Sequence, residues 1–177
     1  NYRETYLRDG SILNPYIQLA KCYVNSGDFI HAKETYVKMQ HLLMEVGRKR
    51  TQREFDVYRE LFQFYLLADQ PDSAHIYLVR MQQTDDTGQH YSMILKMTGD
   101  YQIAIGNLKA AEGAYLSAMQ HIRQQQGEKT EAFAHCLLAL GNIYLQKHDP
   151  KQALIFFHNG ILSMSDARQA YDPLSSP

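Results

Sequence analysis

Leu140-Gly141-Asn142-Ile143-Tyr144, with Ala153 nine residues after the tyrosine and Phe157 four residues later, is the stretch that decides the fold. The same frame stands earlier as Leu19-Ala20-x-x-Tyr23, Ala32 and Tyr36, and again as Leu61-Phe62-x-x-Tyr65, Ala74 and Leu78. A looser copy reads Met97-Thr98-x-x-Tyr101, Ala111 and Tyr115, with one extra residue before the alanine. Each copy places apolar residues at helical spacing on both sides of a short polar turn, which predicts a pair of antiparallel helices. Two helices approach closely only where one offers a small side chain to the other's bulky one. Ala20, Gly141, Ala32, Ala74, Ala111 and Ala153 are the small partners, and Tyr23, Tyr65, Tyr144, Tyr36 and Phe157 the large ones.

The turns repeat independently. Asp28, Asp69, Asn107 and Asp149 stand ahead of the second helix of each pair, where a short polar side chain accepts hydrogen bonds from unpaired N–H groups. Pro71 and Pro150 reinforce two of these starts, and Asn14-Pro15 is the same device before the first helix of the first pair.

These residues resemble the tetratricopeptide repeat (TPR) pattern: an aromatic, then Leu-Gly and Tyr, then Ala and an aromatic. Tyr16 and Tyr58 lead the first two copies, and Leu137 replaces the aromatic in the fourth. The copies fall near residues 13–46, 55–88, 91–125 and 134–167, the third being the loosest. The resemblance implies an all-α, right-handed superhelical solenoid of about four antiparallel helix pairs. Ala32, Ala74, Ala111 and Ala153 lie 42, 37 and 42 residues apart, against about 34 in the family. The surplus, in stretches such as Gln40–Gln52 and Gln120–Thr130, has helical composition, which predicts long second helices rather than long loops.

Residues 13–167 therefore read as one repeat domain. Residues 1–12, with Tyr2, Tyr6 and Leu7 ahead of Asp9-Gly10, read as the tail of a preceding helix, and 168–177 as a fraying C-terminal end. The polar start Asn1-Tyr2-Arg3-Glu4, without an initiator Met, is expected of a piece of a longer protein.

Hydrophobic residues at 45% and charged ones at 21% describe a chain able to bury a core, not a disordered one. A net charge of -1 supplies no general field for nucleic acid or anionic membrane, and no apolar run reaches the roughly 20 residues of a membrane span. The basic run Arg48-Lys49-Arg50 with Arg53 is flanked by Glu45 and Glu54 and has no interleaved aromatic, so it reads as a solvated junction. Cys22 and Cys136 sit within apolar helical patterns and make neither a disulfide framework nor a metal site. Eight histidines are scattered without a paired spacing. Asp85-Asp86 lies in a linker too short for a calcium loop. Gly10, Gly27, Gly99 and Gly106 are isolated and form no phosphate cradle. No cofactor, metal or catalytic residue is expected.

In the TPR family the first helix of each pair lines a concave surface that receives an extended peptide or a partner helix. Carried over position by position, the resemblance implies a groove set of Asn14, Ile17, Lys21 and Val24 from the first pair. The second pair supplies Asp56, Arg59, Gln63 and Leu66. The third supplies Ser92, Leu95 and Gln102, and the fourth His135, Leu138, Asn142 and Leu145. The carboxylate clamp of chaperone-binding members is not reproduced: Ile17 stands where its first Lys is expected, and Lys21 where its Asn is expected. The expectation is a non-enzymatic module that binds a protein or peptide, with self-association through exposed array ends as a further route. The alternative is the sensory domain of a bacterial regulator or sensor kinase, binding a small ligand or peptide.

Overall fold

The structure, a computed structural model, describes residues 13–45 and 52–171. The expected helix tail at 1–12, the run Arg48-Lys49-Arg50 and the end from residue 172 lie outside the described residues. Eight helices follow in order among the described residues: α1 Leu13–Asn25, α2 Phe29–Glu45, α3 Gln52–Leu67, α4 Pro71–Thr84, α5 Tyr91–Ala104, α6 Leu108–Gln126, α7 Glu131–Gln146 and α8 Pro150–Tyr171. They pack as adjacent pairs, α1 on α2, α3 on α4, α5 on α6 and α7 on α8, so the fold is an all-α helix-pair repeat. The chain divides between Thr87 and Gly88 into two compact units of two pairs each.

All four pairs turn in one way. The residues before the second helices, Gly27, Asp69, Gly106 and His148, have φ of 79°, 55°, 76° and 60°. One residue on, the N–H groups of Asp28, Gln70, Asn107 and Asp149 donate to the carbonyls of Tyr23, Tyr65, Gln102 and Tyr144. The left-handed residues themselves donate to Val24, Leu66, Ile103 and Leu145. These nested bonds are a Schellman turn, which closes the first helix and aims the second back along it.

The shared turn sets the register and corrects two sequence expectations. Asp69 does not cap α4: it occupies the left-handed position, and Gln70 stands at the N-cap without a side-chain bond. Pro71 opens that helix instead, its ring already holding the helical φ and its missing N–H needing no partner. Asp28, Asn107 and Asp149 do cap, accepting from the N–H groups of His31, Ala110 and Gln152.

The third copy carries no extra residue. Gln102 takes the place of Tyr23, Tyr65 and Tyr144, so its frame is Thr98-Gly99-x-x-Gln102, nine residues before Ala111. Gly99 then matches Gly141. A Cβ added to either would come 2.6 Å from the ring of Tyr115 or Phe157 respectively. In the second pair the sizes are exchanged: Phe62 fills the small position and Leu78 the one that Tyr36, Tyr115 and Phe157 hold in the other copies, both buried.

The surplus residues are shared between helices. α6 runs 19 residues and α8 22, but α3 and α7 also begin three residues ahead of their copies, at Gln52 and Glu131. Thr130 caps α7 through the N–H of Phe133, and Gly127 with φ of 84° ends α6. In unit 2 the core runs from Ala111, Tyr115, Met119 and Ile122 of α6 to Phe133, Leu137 and Leu140 of α7. No described helix is long and apolar enough to cross a membrane.

Candidate functional site

In unit 1 the first helices α1 and α3 pack on one another, and an ion pair crosses between them. Glu60 of α3 is 3% exposed. The Lys21 ammonium of α1 donates to it at 3.0 Å, and the Arg59 guanidinium at 3.2 Å. Arg59 also reaches Asp56 at 3.2 Å. A carboxylate taken from water without partners would be strongly disfavoured, and here two cations supply the partners. Burial, and then the charge of Glu60, push the Tyr36 hydroxyl far above its ordinary range, so Tyr36 stays neutral.

Beside this cluster lies a cavity of about 200 Å³, lined by Lys21 and Val24 of α1, Tyr36 of α2, and Glu60, Gln63 and Leu67 of α3. The structure thus brings together three expected groove residues, Lys21, Val24 and Gln63. Arg59 and Asp56 flank them through Glu60. Asn14 and Ile17 lie farther up α1, Asn14 exposed and Ile17 half-buried, and Leu66 is half-buried on α3.

Glu60 itself was not anticipated. Its signal is a carboxylate at the position that Gln18, Met97 and Ala139 fill in the other copies, directly before the buried Leu61-Phe62.

A larger cavity of about 540 Å³ lies between α2 and the end of α3, and it too escaped the sequence reading. Phe29, Ile30, Val37, Phe64 and Ala68 make it apolar, with Lys33 and Lys38 at its edge. Ile30 and Val37 are exposed apolar residues on α2.

In unit 2, α7 presents His135, Asn142 and Leu145 in exposed positions. Leu138 is half-buried, because its Cδ2 would lie 2.8 Å from a Cβ at Gly160 of α8. The third-pair set requires correction with its register. Leu95 falls at the leading packing position of Tyr16, Tyr58 and Leu137, and it packs against the unit 2 core. Gln102 falls at the tyrosine position, where its Oε1 is buried and without a hydrogen bond. Met93, Lys96, Asp100 and Ile103 occupy the groove-equivalent positions instead, Asp100 accepting a hydrogen bond from the Tyr115 hydroxyl. Ser92 shifts out of the set for the same reason.

Among the described residues no three His, Cys, Asp or Glu side chains gather to hold a metal ion. Cys136 is fully buried, and that burial pushes its thiol up to about 11. A thiol so placed is a packing group rather than a nucleophile.

The fold defines a class: an all-α repeat of antiparallel helix pairs. It is similar to the crystal structure of BtubC (BKLC) from P. vanneervenii, with a TM-score of 0.74 and 19% sequence identity over 99% of this chain and 71% of that one. At that identity the likeness is one of fold. No protein-family model and no curated protein matches the chain.

Proposed function

We propose that this chain is a non-enzymatic, TPR-like protein- or peptide-binding module that receives an extended segment along its first helices. The observation that carries the reading is the cavity between α1 and α3, where Val24 and Leu67 offer apolar surface beside the Lys21 ammonium and the Gln63 amide. An extended peptide presents that mixture: alternating side chains for the apolar wall, and backbone carbonyls for the amide and ammonium donors. The two cations are already matched by Glu60 and Asp56. The site therefore has no excess charge with which to select an acidic or basic ligand.

The test is selection of binding peptides from a random library, followed by titration against variants. Gln63→Trp fills the cavity from an exposed position without removing a core residue. It should weaken selected peptides by about tenfold or more, or about 1.4 kcal/mol. Peptides that ignore Gln63→Trp but are lost on Val37→Glu would place binding in the apolar cavity on α2 and overturn the reading. Arg59→Ala is a poor probe, because it strips a partner from the buried Glu60 and confuses folding with binding.

A further inference from the structure

The step from α2 to α3 in unit 1 and the step from α6 to α7 in unit 2 are copies in one register. Ala32 and Tyr65 each stand 79 residues before Ala111 and Tyr144. The two copies close differently. In unit 2 Glu112 of α6 accepts hydrogen bonds from Tyr144 and Lys147 of α7, which bridges the helices. In unit 1 the counterparts are Lys33, Tyr65 and Ala68. An ammonium cannot accept and an alanine cannot donate, and the ring of Tyr65 lies flat against Tyr77 of α4, with centroids 5.5 Å apart. The bridge has no counterpart, and the cavity of about 540 Å³ lies where it would be.

The wall of this cavity is apolar and its edge cationic. Phe29 and Phe64 hold their rings 6.2 Å apart, and exposed Ile30 and Val37 continue the wall along α2. Water against such a wall finds few hydrogen-bonding partners. Among the described residues neither Lys33 nor Lys38 has an ion-pair partner, and Glu34 is the one acid on the lining. The cation of the unit 2 bridge meets a carboxylate from the facing helix; Lys33 meets none. The volume falls within the roughly 300–1,000 Å³ of small-molecule sites.

We propose that this cavity binds a free anionic amphiphile, a carboxylate carrying a hydrocarbon chain of medium length. The chain lies on Phe29, Ile30, Val37 and Phe64, and the carboxylate stands to Lys33 as Glu112 stands to Lys147. A peptide backbone is less well matched, because its N–H and C=O groups would lie against a wall that offers them no partners. The inference is independent of the groove between α1 and α3.

Isothermal titration calorimetry with sodium decanoate reads the site, with decyltrimethylammonium as the probe of opposite charge. The expected result is one decanoate per chain with a dissociation constant of about 10–500 µM, and a cation that binds about tenfold more weakly or less. Lys33→Gln with Lys38→Gln, both at exposed positions, should erase that preference at unchanged helicity. Lys33→Glu with Ala68→Lys installs the unit 2 bridge in unit 1, and should abolish decanoate binding while the melting temperature stays the same or rises. No binding up to about 5 mM decanoate, or equal binding of the cation, would overturn the proposal. Decanoate binding that survives the bridge variant would overturn it as well. So would sedimentation with anionic phospholipid vesicles in place of decanoate binding, which would assign the face to a membrane surface.

Discussion

Gly141 and Gly113 lie in helix interiors of the same unit, yet they should respond oppositely to one added methyl group. Alanine in place of glycine within a helix gains about 1 kcal/mol of intrinsic propensity. At Gly113 a Cβ meets nothing within 4 Å, so Gly113→Ala should stabilise the chain by about 0.5–1 kcal/mol. At Gly141 the new atom would sit 2.6 Å from the Phe157 ring, which is itself packed between α7 and α8. Overpacking there outweighs propensity, and Gly141→Ala should destabilise by about 1–3 kcal/mol. Urea unfolding of both variants checks the pair, and equal shifts of one sign would refute the packing of α7 on α8. Glu60 belongs to the same scale. Lys21→Met leaves it one cationic partner instead of two, and should cost about 1–3 kcal/mol in the same measurement.

Between elements, α6 and α7 of unit 2 are joined by Glu112, which accepts from Lys147 and Tyr144 across the pair boundary. The Lys147 ammonium, and then the Tyr144 hydroxyl, hold the Glu112 carboxyl below its ordinary 4.5. A depressed carboxylate stabilises the folded state fully above the unfolded value, and that contribution is lost as pH falls through the lower, folded value. Glu112→Gln should therefore reduce stability at neutral pH and flatten the decline below 4.5, seen by urea unfolding at successive pH values. The helix pairs were legible because tyrosine, alanine and the turn keep one spacing, and packing demands that spacing. The third register was not, because Tyr101 stands beside Gln102 and imitates the missing aromatic. Only the shared turn, closed on the Gln102 carbonyl, separates them. Asp69 misled in a similar way. Aspartate suits both a cap and a left-handed turn, and Pro71 had already opened the helix. For the candidate site, Lys21, Val24 and Gln63 followed from position within the repeat, whereas Glu60 and the apolar cavity depend on how α1 and α2 meet α3. A helical period does not encode that meeting.

At the scale of the whole chain, 18 basic and 19 acidic side chains nearly cancel, so no general field draws a charged partner to it. The chain has two cysteines, one exposed on α1 in unit 1 and one sealed in the core of unit 2. Cys22 should accept a maleimide within seconds to minutes, placing a dye on the helix that borders the proposed groove. Cys136 can react only when unit 2 opens, so the pace at which a second equivalent is taken up is a clock for that opening. The native chain thus carries its own binding reporter and its own unfolding timer.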